Sequence, residues 1–103
     1  MRIRVKVGPQ VEAFVKSLAP DPRRALSRAI KGLAQARGDV KQLESHLKGY
    51  SRLRVGSHRV IFATRAEADE RIVDCLFAER RPVIYELFAE QVRRQMEAHE
   101  PNQ

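Results

Sequence analysis

The stretch LKGYSRLRVGSHRVIF, Leu47 to Phe62, reads as two short strands joined by a tight turn at Gly56 and Ser57. Leu53 and Val55 alternate with Arg52 and Arg54, so the first strand has one apolar face and one face of guanidinium groups. With a two-residue loop at Gly56 and Ser57, Arg54 falls directly across from Arg59. Like charges facing each other in a sheet cost stability, and that cost points to an anionic ligand.

The wider charge pattern agrees. The chain of 103 residues carries 20 Lys and Arg against 13 Asp and Glu, a formal net charge of +7. Such a balance favours a polyanionic partner, nucleic acid first. No acidic residue occurs from Ser45 to Ala66, while Lys48, Arg52, Arg54, Arg59 and Arg65 all fall there. The length suits one domain, residues 1–103, with a single two-layer core. Cys75 is the only cysteine, which excludes an internal disulfide and a cysteine metal cluster and fits a reducing, cytoplasmic setting. His46 and His99 have no partners at metal-ligand spacing, so no metal is expected. No apolar run approaches a membrane span or the core of a signal peptide, so no membrane partner is expected either.

In chain order, Arg2 to Val7 alternates strictly and predicts a half-buried strand with Ile3, Val5 and Val7 inward, ended by Gly8 and Pro9. Val11, Phe14, Val15 and Leu18 recur at helical spacing up to Ala19 and Pro20. Asp21 and Pro22 predict a second helix, capped by the aspartate and started by the proline, with Leu26, Ile30 and Leu33 inward and an end near Gly38. Asp39 to His46 reads as a polar connector anchored by Val40, Leu43 and Leu47. The hairpin follows, then a loop over Arg65 to Glu70. Arg71 to Ala78 predicts a central strand with Val73, Cys75 and Phe77 on one face and Ile72, Asp74 and Leu76 on the other. Pro82 opens a last helix with Val83, Ile84, Leu87, Phe88 and Val92 at helical spacing, and Pro101 to Gln103 are expected to fray. The expected fold is α+β: a small, mostly antiparallel sheet in the order β-α-α-β-β-β-α, an N-terminal helical hairpin on one face, a C-terminal helix, and a basic cleft.

The run RLRVG followed by RVI, and the later AERRPVIY, resemble the RelE/ParE superfamily of type II toxins. The resemblance covers the chain from its first strand to Tyr85. Relatives of the RelE branch cut mRNA in the ribosomal A site, whereas those of the ParE branch poison DNA gyrase. Carried over by position, Arg52 and Arg54 match basic residues on the mRNA backbone, and Arg59 matches the arginine that holds the scissile phosphate. Arg80 or Arg81 matches a later basic position, and Tyr85 matches a tyrosine near the start of the final helix. Lys48, His58 and Arg65 extend the expected RNA-binding set.

In that branch the nucleophile is the RNA's own 2′-hydroxyl, so neither metal nor cofactor is implied. Guanidiniums stabilise the crowded negative charge of the phosphorane, and a tyrosine stacks on a base or passes a proton. Some relatives have lysine where this chain has Arg52 and Arg54. Arginine does not give up its proton, which leaves Tyr85, His58 or no strong base at all. The resemblance also implies a cognate antitoxin, for which Leu87, Phe88 and Val92 offer an apolar dock, and a 70S ribosome with its mRNA. Retention of the arginines and Tyr85 argues against a ParE-like gyrase inhibitor. Loss of the lysines keeps a third reading open, a catalytically inactive module that binds nucleic acid or antitoxin.

Overall fold

In a computed structural model, residues 2–81 and 83–99 are described. They form one five-stranded sheet in the order β1-β5-β4-β3-β2, where β1 is Arg2–Val7, β2 Asp39–Gln42, β3 Ser51–Val55, β4 His58–Glu67 and β5 Glu70–Arg80. Three helices accompany it: α1, Pro9–Ser17; α2, Pro20–Gly32; and α3, Ile84–His99. Every pairing is antiparallel except β1 with β5, so the expected α+β, mostly antiparallel architecture is present.

The sequence pattern explains most of this. Gly56 turns at φ 60°, a left-handed conformation open to glycine, and sets the hairpin register with Val55 opposite His58 and Arg54 opposite Arg59. Leu53, Val60 and Phe62 then face α1 and α2, and pack with Val11, Leu26, Ile30, Leu33, Val73 and Cys75 into the main core. On the opposite face a smaller core forms where Ile84 and Phe88 of α3 meet Leu47 and Ile61. Phe88 sits edge-on to Tyr50, with ring centroids 4.9 Å apart. Among the described residues no helix is long and apolar enough to cross a membrane.

Several elements differ from the sequence expectation. The connector after α2 contains an extra strand, β2, which pairs with β3 and makes five strands in place of four. Val40 is therefore an exposed edge residue and no anchor, while Leu47 is buried in a short 3₁₀ turn. The cause is backbone pairing: β2 has no alternating apolar face, and all four of its residues are exposed. Gly38 enters it at φ 126°, and a Cβ there would stand 2.7 Å from Leu53 Cδ1. Helix α2 starts at Pro20 with Ala19 as its cap residue, so Asp21 sits in the first turn, paired with Arg24, and caps nothing.

Two further differences concern the long strands. Arg65 to Glu67 belong to β4, leaving only a short turn at Ala68 and Asp69 where a loop was expected. In β5, Ile61 faces Phe77 and the next residue, Phe62, faces Cys75, so Leu76 is the extra residue of a β-bulge. Leu76 and Phe77 both join the smaller core, while Cys75 and Ala78 stay in the main one. Phe77 thus leaves the face that strict alternation assigned to it. Val7, expected inward, is exposed at the end of its edge strand. Pro82 and Pro101 to Gln103 lie outside the described residues.

Where β1 ends, a side chain continues its work. The Gln10 amide donates from Nε2 to the Ala78 carbonyl at 2.8 Å, and Ala78 N donates to Gln10 Oε1 at 2.7 Å. Gln10→Ala removes both partners from a buried strand residue and is expected to lower stability by about 1–3 kcal/mol. Urea unfolding followed by circular dichroism checks this, and an unchanged midpoint would refute it. In the same assay Gly38→Ala is expected to cost at least about 1 kcal/mol, because it combines an unfavourable φ with a clash.

Candidate nucleic-acid interface

The hairpin register builds two rows of side chains across the face of the sheet opposite α1 and α2. One row is Asp39, Arg54, Arg59 and Glu79; the next is Lys41, Arg52, Ile61 and Phe77. Residues paired across strands share a face, so the three hairpin arginines fall together there. Arg52, Arg54 and Arg59 lie in the rows themselves. Tyr85, half-buried in the first turn of α3, packs on the small core that contains Ile61.

The arginines are not alike. Arg52 is largely covered and donates from Nη1 to both the carbonyl and the carboxylate of Asp39, at 2.8 and 3.1 Å. Arg54 is exposed, with Nε 2.6 Å from Asp39 Oδ2. The hydrogen bond from Arg52, reinforced by the charge of Arg54, holds the Asp39 carboxyl below its ordinary pKa of 3.8. Arg59 is only 5% exposed, and its Nη1 donates to the Gly56 and His58 carbonyls at 2.7 and 3.0 Å. That guanidinium ties down the turn of its own hairpin.

The remaining expected residues scatter. His58 is 8% exposed and lies on the opposite face of the sheet, its ring edge-on to Phe14 of α1 at 5.5 Å between centroids. Its Nε2 has no hydrogen-bond partner, and burial, aided by the charge of Arg80, pushes its pKa below 6.5. Arg80 pairs across from His58 and so belongs to that side, whereas Arg81 donates its backbone N–H to Ser57 O at 3.0 Å beside the hairpin turn. Arg65 stands far along β4, bound to Asp74 at 3.0 Å and to Glu67. Lys48 is exposed and lines a cleft of about 600 Å³ with Tyr50, Ser51 and Thr64. On α3, Leu87 is exposed and Val92 half-buried, but Phe88 is packed into the small core. Cys75 is buried with its pKa raised to about 11, an unreactive thiol. Among the described residues no three His, Cys, Asp or Glu side chains gather as metal ligands.

Sequence reasoning missed Asp39, Lys41 and Glu79. Asp39 and Lys41 had no signal because β2 was read as a connector. Glu79 became readable only through the register with Arg59 across the β5 bulge.

Against known proteins, no protein-family profile and no curated sequence matches the chain. Solved structures do match. The RelBE2 toxin–antitoxin complex of Mycobacterium tuberculosis is similar at 19% identity and TM-score 0.64, over 79% of this chain and 100% of that one. An archaeal RelE–RelB complex from Pyrococcus horikoshii gives 26% identity and TM-score 0.61, over 80% and 98% of the two chains. A YoeB/ParE toxin from Agrobacterium tumefaciens gives 13% and 0.59, over 79% and 99%. The chain has the fold of the RelE/ParE toxin superfamily, and its neighbours come from more than one branch of it.

The buried histidine makes stability depend on pH. Its folded-state pKa lies below the unfolded value near 6.5, so the unfolded chain takes up the proton more readily. Stability is therefore fullest above pH 6.5 and falls as the pH drops through that value toward the folded pKa. Urea midpoints measured on either side of this window should fall for the wild type and fall less for His58→Leu. Equal falls in both proteins would show that His58 does not drive the effect.

Proposed function

We propose that this protein is the toxin of a type II toxin–antitoxin system and cuts mRNA in the ribosomal A site. The observation that supports the reading is that Arg52, Arg54 and Arg59 stand in adjoining rows of one sheet face, next to the small core on which Tyr85 of α3 packs. In the proposed reaction the RNA 2′-oxygen bonds to the adjacent phosphorus while the bond from phosphorus to the 5′-oxygen breaks. The proton leaves the 2′-hydroxyl and one is delivered to the 5′-oxygen, giving a cyclic phosphate and a free 5′-hydroxyl. Arg54, exposed beside Asp39, contacts the incoming phosphate. Arg59 holds the charge of the phosphorane after exchanging a carbonyl of its turn for phosphate oxygen. Tyr85 passes a proton or stacks on a base. His58 is a poor candidate for the base, because it is buried on the other face.

The similarity to RelE–RelB complexes supports a cognate antitoxin as partner. Such a partner would meet Leu87, 45% exposed, together with exposed Val83 just before α3; reaching Phe88 would require α3 to lift from the sheet. One observation favours the second reading, a non-cleaving module that binds nucleic acid or antitoxin: Arg59 is buried and already bonded to two carbonyls.

The test is mRNA cleavage in a reconstituted translation system with and without ribosomes. Cuts are expected in the A-site codon only when ribosomes are present. Arg59→Ala is expected to slow them by about 10²–10³-fold, as for loss of a preorganised donor to developing charge. Tyr85→Phe is expected to cost about 10²-fold or more if its hydroxyl moves a proton. Intact mRNA with stalled gyrase would replace this reading by the ParE-like one, and silence in both assays would leave the binding module.

A further inference from the structure

Two guanidiniums and one carboxylate meet at the free edge of the sheet, and the carboxylate divides itself unequally between them. Oδ1 of Asp39 accepts from Arg52 and Oδ2 faces Arg54. Arg52, its side chain 14% exposed, also donates to the backbone carbonyl of Asp39, an acceptor separate from the carboxylate. Arg54 is 54% exposed, and among the described residues Asp39 is its one ion-pair partner. Across the sheet Arg54 faces Arg59, so its own row repels it on the other side. An exposed ion pair in water is weak and opens readily. A carboxylate and a phosphodiester also offer the same pair of oxygens to a planar guanidinium.

We propose that Asp39 is a built-in competitor for the RNA backbone: its carboxylate occupies the place on Arg54 that a phosphate takes, and binding exchanges one anion for the other. Arg52 stays anchored throughout. This rests on the RNA reading above and adds the residue that sets affinity for a single strand. Displacing Asp39 weakens binding of any free strand, so productive engagement needs contacts supplied elsewhere, as on a ribosome. The competitor is a carboxylate at neutral pH, and the Arg52 hydrogen bond extends that state to lower pH.

The experiment is fluorescence anisotropy with a short, labelled single-stranded RNA bearing 2′-O-methyl riboses, which binds but cannot be cut. Wild type, Asp39→Asn, Arg54→Ala and the double variant are titrated over a salt series. Asp39→Asn is expected to bind about fivefold tighter, the scale of one exposed ion pair. It is also expected to steepen the dependence of log affinity on log salt, because in the wild type the freed Asp39 carboxylate takes up a cation as the phosphate releases one. Arg54→Ala binds more weakly, and adding Asp39→Asn to it changes nothing. Should Asp39→Asn not fold, Asp39→Ser keeps the backbone carbonyl bond and repeats the measurement.

Equal or weaker binding by Asp39→Asn, with Arg54→Ala still weakened, overturns the competitor and leaves the RNA reading standing. Equal tightening by Asp39→Asn with and without Arg54 also overturns it, since the effect would then be remote charge. Unchanged binding by Arg54→Ala removes the phosphate contact on which both ideas depend.

Discussion

The register of the hairpin between β3 and β4 is the constraint from which the rest follows. Gly56 supplies the left-handed turn, and the turn fixes Arg54 opposite Arg59. That pairing is unfavourable alone, yet it cannot slip by one residue without driving Leu53 and Val60 out of the main core. The fold keeps the register and disperses the repulsion. Asp39 on β2 and Glu79 on β5 bracket the two arginines, so the row runs acid, base, base, acid from edge to interior. A stretch without acids in the sequence is thus bordered by acids in space.

The same sheet separates stability from chemistry by face. The side under α1 and α2 holds the main apolar core and takes His58 with it, which leaves the imidazole Nε2 without a hydrogen-bond partner and lowers its pKa. On the other side α3 covers only part of the surface, with a small core around Ile61, Ile84 and Phe88. The bulge at Leu76 makes this possible, because it places two consecutive large residues, Leu76 and Phe77, on the α3 side. Of the two rows, Asp39, Lys41 and Arg54 remain exposed next to that core, while Arg59 is buried.

Much of the site was legible because it sits on one local unit. Arg52, Arg54 and Arg59 belong to a hairpin whose turn residues and alternation specify its pairing, and all three take their expected faces. His58 and Arg65 were grouped with them by nearness in sequence. Alternation puts His58 on the other face, and the unexpected length of β4 carries Arg65 away to Asp74 and Glu67. Arg80 and Arg81 could not be told apart in the sequence; pairing places Arg80 with His58 and brings Arg81 to the turn.

What the sequence by itself determined is local and periodic: β1 by alternation, the helices by their apolar spacing, the hairpin by its turn, and a surplus of positive charge around it. Each of these depends on residues a few positions apart, so composition and spacing carry the information. Tertiary structure alone decided that Asp39 shares its carboxylate between Arg52 and Arg54, that Gln10 completes the ladder of β5, and that β2 is a strand at all. These features are made by backbone pairing between distant segments. A four-residue edge strand with no buried side chain leaves no hydrophobic pattern, and its partner's hydrogen-bonding edge is what orders it.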